Sequence, residues 1–310
     1  MADPQRLNAA SGHKISAHRQ LVVIQRNPTS GSGAGALQVK VLIRKLRESG
    51  LRVRLFADRD RLDTFVNNAE QASSIRCLVA AGGDGTIASL ANRHSQFPIA
   101  TLPLGTENLM ARHLGIPRCG NTVASLILQG QTRVFDTGVC NGQQFLLMCS
   151  VGLDADVVQR LHSTRQGNIR HISYLKPILL SLLNYPFPKL RVFGSDGTLI
   201  CEGTHVIATN APEYGFQMPF CPAADPHDGQ LDIRVFKHPG RMATFLHAVR
   251  TRLGFQDRES ELTRFRATEI EVRSDAAAVA QFDGDPAGGC PVRISVAPAS
   301  MTLVVRSDKH

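Results

Sequence analysis

Residues 75–86 constrain this chain more than any other stretch. A short apolar run, Ile75-Arg76-Cys77-Leu78-Val79-Ala80, passes directly into Ala81-Gly82-Gly83-Asp84-Gly85-Thr86. The run has the length and composition of a buried strand. Gly82, Gly83 and Gly85 let the backbone turn sharply and bring several N–H groups close to an anion. Thr86 and the residues after it read as the first turn of a helix, whose N-terminus favours phosphate. Asp84 is discordant there. A carboxylate in a phosphate cradle repels its ligand unless a cation stands between them or a hydroxyl proton has to be taken. Asp84 is therefore expected to face Mg2+ or an acceptor hydroxyl.

The same pattern recurs on either side. The strand 98–102 ends in Pro103-Leu104-Gly105-Thr106-Glu107-Asn108 and opens a helix, with Gly115 and Pro117 as stop signals. Earlier, Leu21-Val22-Val23-Ile24 leads into Asn27-Pro28-Thr29-Ser30-Gly31-Ser32-Gly33. Three such turns belong side by side at the carboxyl edge of a parallel sheet, where open α/β sheets bind ligands. Strands predicted at 21–25, 51–56, 75–80 and 98–102 alternate with helical patterns. The clearest is Leu37 to Ser49, with Leu37, Val41, Leu42 and Leu46 at helical spacing and Gly50 as its stop. This is βαβ sequence, hence a parallel sheet.

Near residue 135 the pattern changes. Candidate strands follow at 132–140, 144–149, 188–194, 198–202, 204–210, 230–236, 268–273, 277–283 and 292–296. Asn141-Gly142, Asp196-Gly197 and Asp283-Gly284 supply hairpin turns. Such spacing predicts an antiparallel β-sandwich. The fold class expected is thus α/β plus all-β, an N-terminal parallel-sheet domain over 21–135 and a C-terminal sandwich over 136–310, with the last strand free to return to the first domain. Residues 1–20 lack an apolar signal core and read as a mobile, polar and basic arm.

Composition narrows the partners. Thirty-five basic against twenty-six acidic residues give a net charge of +9, which favours anionic partners. With 5% aromatic residues, no Trp and three Tyr, stacking platforms for single-stranded nucleic acid are few. No zinc-finger pattern and no basic tract of five or more stands out, so nucleic acid is not the expected partner. An anionic membrane surface is. Two basic amphipathic stretches, Arg160 to Leu183 and Lys237 to Arg258, have the character of interfacial helices. The longest apolar run, Pro177 to Leu183, falls well short of the roughly 18 residues needed to span a bilayer. Seven cysteines without a Cys-x-x-Cys pair predict reduced thiols and a cytoplasmic protein that meets the membrane from its surface. The eleven histidines show no metal-ligand spacing. Nothing in the chain speaks against a homodimer.

Taken in order, these segments resemble the diacylglycerol kinase catalytic family, the bacterial lipid kinases related to sphingosine and ceramide kinases. The resemblance rests on residues 27–33, 82–86 and 103–108, then on Asp136-Thr137-Gly138 with Asn141-Gly142, on Asp228-Gly229-Gln230-Leu231-Asp232, and on Phe282-Asp283-Gly284-Asp285-Pro286. It implies an ATP- and Mg2+-dependent kinase that transfers the γ-phosphoryl group to a diacylglycerol-like or sphingoid-like hydroxyl. The active site would lie in the cleft between the two domains. In that family pattern Asn27, Ser30, Gly31, Gly82, Gly83, Asp84, Gly85, Thr86, Gly105 and Thr106 hold the nucleotide, and Glu107 and Asn108 reach ribose or phosphate. Asp84 and Asp136 belong to the Mg2+ network, Asp225, Asp228 and Gln230 to a second metal loop. Asp285 is the base, with Asp84 the other catalytic carboxylate.

Two departures stand out. Many lipid kinases carry Gly-Thr-Ala-Asn-Asp-Phe where this chain has Gly105-Thr106-Glu107-Asn108-Leu109-Met110. Most end Asp-Gly-Glu where it has Asp283-Gly284-Asp285, a shorter carboxylate. They keep open a non-catalytic nucleotide-binding regulator of the same fold. NAD kinase, which shares the glycine-aspartate-glycine-threonine core, is the competing enzyme, and the second-domain motifs speak against it.

Overall fold

A computed structural model of the protein describes residues 12–27, 33–163, 175–212, 221–237, 240 and 262–307. The chain divides into two compact units, Met1–Phe135 with Ala299–His310, and Asp136–Pro298.

The first unit is built on strands β1 (His13–Lys14), β2 (Leu21–Arg26), β3 (Arg52–Phe56), β4 (Ile75–Gly82) and β5 (Ile99–Pro103). β2 to β5 form a parallel sheet in the order β5-β4-β2-β3. Every residue of β4 and of β5 is buried, as expected of strands in an α/β sheet covered on both faces. The helices are α1 (Gly33–Glu48), α2 (Arg59–Val66), α3 (Ala69–Ala72), α4 (Asp84–His94), α5 (Leu109–His113) and α6 (Gly120–Gln129). α1 starts earlier than the apolar spacing predicts and buries Val39, Leu42 and Leu46, while Leu37 faces solvent. The expected arm is also corrected. β1 pairs antiparallel with Gln131 and Thr132, and the Ile15 N–H donates to Gly130 O at 2.8 Å, so backbone hydrogen bonds tie the chain down from residue 13 onward.

Registry sets the edge that matters. Arg26 pairs with Ala81 and Gly82 with Pro103, so β2, β4 and β5 deliver their following loops to the same end of the sheet.

The second unit contains the end of β6 (Gln131–Cys140), then β7 (Gln143–Phe145), β8 (Met148–Val151), α7 (Leu153–Ser163), α8 (Leu175–Asn184), β9 (Leu190–Gly194), β10 (Leu199–Gly203), β11 (His205–Thr209), β12 (Leu231–Phe236), β13 (Leu262–Ala267), β14 (Glu269–Ser274), β15 (Val279–Phe282), β16 (Asp285–Gly289) and the start of β17 (Val292–Val304). One antiparallel sheet runs β13-β12-β11-β8-β15-β16. The other pairs β10 with β9, β9 with β14 and β14 with β17. Val151, Val206, Ala208, Ile233 and Val235 from the first meet Val192, Ile270, Val272, Val292 and Ile294 from the second in one core cluster, the inner faces of a sandwich. At its far end, beyond residue 298, β17 belongs to the first unit, where Leu303 lies parallel beside Ile99. β13 was not among the expected strands. Its Thr263-Arg264-Phe265-Arg266 alternation exposes arginines on one face and hides the strand signal.

Candidate active site

In the first unit, two glycine loops meet at the carboxyl edge of the sheet. The N–H groups of Leu104 and Gly105 donate to Gly82 O at 2.8 and 3.3 Å, and the Asn27 N–H to Ala81 O at 3.2 Å. The loops touch where no side chain fits. A Cβ on Gly105 would lie 2.7 Å from Gly83 Cα, and one on Gly82 would lie 2.2 Å from Thr86 Oγ1. Gly85 is different: it is exposed and a Cβ there meets nothing. Gly82 and Gly105 are therefore required by close approach, whereas Gly85 leaves open space over the first turn of α4.

Asp84 sits at that turn, half-buried. Its Oδ2 accepts from the Leu109 N–H and its Oδ1 from the Met110 N–H, both at 2.9 Å. These are orphan donors at the start of α5, which a carboxylate satisfies well. Burial pushes the Asp84 carboxyl above its ordinary value, the two N–H donors pull it back, and the nearby Glu107 adds to the rise. The carboxylate expected to face only ligand thus also braces the second loop against the first. Each oxygen keeps a lone pair beyond these bonds.

Asn108 is likewise given a structural task. It adopts the left-handed conformation at φ 52°, and its buried side chain grips both peptide groups that flank Gly105. The Gly105 N–H donates to Asn108 Oδ1 and Asn108 Nδ2 donates to Gly105 O, each at 2.8 Å. Expected to reach ribose or phosphate, this side chain shapes its own loop in this structure. Arg118, which sequence reasoning missed, completes the brace by donating to Pro103 O at 2.9 Å and Gly105 O at 2.7 Å. Thr86 is buried beneath Gly82, Thr106 is exposed and Glu107 half-buried. Ser30 and Gly31 lie outside the described residues.

In the second unit, Asp136 Oδ2 accepts from the Gly229 N–H at 2.7 Å and its own N–H donates to Pro226 O at 2.8 Å. Asp136 therefore pins the 225–230 loop. Within that loop Asp225 Oδ1 accepts from the His227 N–H at 3.1 Å and Asp228 Oδ1 from the Gln230 N–H at 3.0 Å. The remaining Asp228 oxygen lies 3.1 Å from Arg266 Nη1, whose Nε also reaches Asp232 at 3.3 Å. Burial raises the Asp228 carboxyl, against the pull of Gln230 and Arg266. Where the resemblance implies a cation held by Asp225, Asp228 and Gln230, this structure sets the Arg266 guanidinium against Asp228 and Asp232. Among the described residues no group of three or more His, Cys, Asp or Glu forms a ready metal shell.

The turn between β15 and β16 carries the last motif. Asp283 and Gly284 are both left-handed, at φ 48° and 87°, as an Asp-Gly hairpin turn requires. Asp283 accepts from the N–H groups of Leu146, Leu147 and Met148 at 2.6, 2.9 and 3.1 Å, so it fixes the backbone that enters β8. Asp285 follows with its carboxylate 59% exposed, and His162 Nε2 lies 3.3 Å from its Oδ1. Beneath the turn, Gln281 is fully buried. Its Oε1 accepts from the Gly284 N–H at 3.0 Å, and its Nε2 donates to Ser150 Oγ at 2.7 Å and Asp154 Oδ2 at 3.2 Å. Asp154 also accepts from Ser150 Oγ at 2.5 Å and contacts His205 Nε2 at 2.8 Å. Burial alone would raise the Asp154 carboxyl, but His205, Ser150 and Gln281 hold it below its ordinary value. Asp154, His162 and Gln281 were not foreseen. The eight-residue spacing of Asp154 and His162, which places both on one face of α7, was the available signal.

Comparison with known proteins decides the kinship. Residues 20–140 match the family described as the diacylglycerol kinase catalytic domain, and residues 148–305 match the YegS C-terminal NAD kinase beta sandwich-like domain. A protein of Pseudomonas aeruginosa (strain UCBPP-PA14) named "Probable lipid kinase YegS-like" is 30% identical over 280 residues, covering 88% of this chain and 91% of the relative. The chain belongs to the diacylglycerol kinase catalytic family. Membership makes it a phosphotransferase of the lipid kinase class. A Mycobacterium tuberculosis (strain H37Rv) protein named diacylglycerol kinase is 27% identical over 289 residues, covering 90% and 93% of the two chains. The crystal structure of a diacylglycerol kinase from Bacillus anthracis str. Sterne shares the fold, with a TM-score of 0.68 at 20% identity over 94% of this chain and 98% of that one.

Proposed function

We propose that this lipid kinase uses ATP with Mg2+ and phosphorylates a lipid hydroxyl of diacylglycerol-like or sphingoid-like character. The observation that carries the reading is the pair of braced glycine loops at the ends of β4 and β5. Their glycines keep the backbone bare, so N–H groups and the open space over Gly85 can receive phosphate oxygens without side-chain interference. Bound with the triphosphate, Mg2+ would neutralise its charge. Asp84 fits as an oxygen donor to that ion, directly or through water, because each of its oxygens retains a lone pair. Asp285 takes the hydroxyl proton. Its exposed carboxylate is open to an acceptor, and a positioned general base contributes about 10² to 10⁴ in rate.

The lipid is met at an anionic membrane surface. The net charge of +9 supports this, as do the outward leucines of α8, Leu179, Leu180 and Leu183. Among the described residues no helix is long and apolar enough to cross a membrane. Of the two basic amphipathic stretches, residues 164–174 and most of 237–258 lie outside the described residues.

The test is labelled ATP with Mg2+ and a bacterial total lipid extract, the product identified by mass, with NAD offered as a competing acceptor. A phospholipid product is expected, and Asp285→Asn should lower kcat by about 10² to 10⁴ with the KM for ATP nearly unchanged. Phosphorylation of NAD alone, or of neither acceptor, would overturn the reading.

A further inference from the structure

We infer that His162 is a positioning residue for Asp285, aiming its carboxylate and locking the peptide group that precedes it. This deepens, and rests on, the reading of Asp285 as the base. His162 Nε2 lies 3.1 Å from Gly284 O and 3.3 Å from Asp285 Oδ1. A carbonyl and a carboxylate are both acceptors, so Nε2 carries the hydrogen and shares it between them. The tautomer follows from the geometry.

The surroundings show why such a contact matters. Asp285 is the first residue after a two-residue turn, and its side chain is 59% exposed. Unrestrained, a carboxylate there would sample its rotamer wells, and only a fraction of the time would it face a hydroxyl. His162 is only 24% exposed, on the last turn of α7, so it offers a firmer anchor than the group it touches. The turn is held from two sides by the same helix. Gln281, tied to Asp154 at the start of α7, accepts the Gly284 N–H. His162, at the end of α7, binds the Gly284 carbonyl. Both peptide groups flanking Gly284 are thereby held, one at its donor and the next at its acceptor, and the carboxylate one residue on is steered by the clamp. The shorter side chain of Asp285 makes the restraint more consequential, since its reach depends on the backbone beneath it.

The experiment is a double-mutant cycle on the full chain, with labelled ATP, Mg2+ and vesicles of bacterial total lipid extract. His162→Ala should lower kcat by about 10-fold, the scale of losing orientation rather than chemistry, while the KM for ATP stays within about 2-fold. His162→Gln, which keeps a side-chain N–H donor, should recover most of the loss. In an Asp285→Asn background, His162→Ala should cost nothing further, because the residue it positions no longer takes the proton. If alanine fails to fold, His162→Leu keeps the bulk without the donor and takes its place. The inference falls if His162→Ala is as active as the native chain, if glutamine is no better than alanine, or if the loss is equal in both backgrounds, which would mark a purely structural role. Full activity of Asp285→Asn alone would overturn the reading of the base and this inference with it. A slow Asp285→Asn beside a fully active His162→Ala would sink only the inference.

Discussion

Asp84 and Asp285 both stand beside a glycine in a tight turn, yet the molecule treats them in opposite ways. Asp84 is half-buried, and both its oxygens accept backbone N–H groups from the start of α5. Asp285 is mostly exposed, with His162 against one oxygen. Sheet topology makes the difference. Parallel strands deliver consecutive strand-to-helix loops to one edge, so a carboxylate in the first loop finds the orphan donors of the next helix. In the β15–β16 hairpin the turn residue Asp283 takes the backbone donors of Leu146, Leu147 and Met148, and the carboxylate just past it is left with His162. A motif carboxylate can thus be a brace or an open base, and local sequence does not distinguish the two.

Replacing Asp84 is the strongest way to break this contrast. Asp84→Asn keeps the size but turns an N–H donor toward one of the two backbone donors it serves. It should cost about 3 kcal/mol of stability, as expected when a charged acceptor of two backbone bonds is lost. Chemical denaturation would measure it, and an unchanged unfolding midpoint would return Asp84 to a purely ligand-facing role.

Gly105→Ala comes next. Its Cβ would be driven to 2.7 Å from Gly83 Cα and 3.1 Å from Gly83 N, backbone atoms that cannot swing aside, and to 3.0 Å from the bracing Asn108 Oδ1. A loss of about 2 kcal/mol, with weaker ATP binding in a titration, is expected from such overpacking.

The floor beneath Asp285 can be probed by pH. The folded Asp154 carboxyl lies below its ordinary value of 3.8. Its contribution to stability is therefore fully present above that value and is lost as pH falls through the lower folded value. Asp154→Asn should cost about 1.5 kcal/mol near neutrality, and the gap from the native chain should close as the medium is acidified below 3.8. A gap that widened on acidification would contradict the assignment. The smallest effect belongs to Gly85→Ala, which meets open space and should change stability by less than about 0.5 kcal/mol. If it nevertheless weakens ATP binding severely, the space over Gly85 is where phosphate sits.

The sequence by itself determined the class of fold and the places where chemistry gathers. Continuous apolar runs ending in glycine mark buried parallel strands, because such strands are covered on both faces. Asp-Gly and Asn-Gly pairs mark hairpins, because two left-handed residues in succession favour those types. These are local signals, and they located the loops 82–86 and 103–108 and the turn 283–285. What each side chain does there was decided by tertiary structure. Asp84 meets donors 25 and 26 residues away, Gln281 meets Asp154 across 127, and Arg266 meets Asp232 across 34. Asn108 bonds Gly105 through both ends of its amide, and Arg266 stands against a carboxylate of the loop expected to hold a cation. Such pairings depend on register and on which strand lies beside which, and a chain read in order carries no term for either.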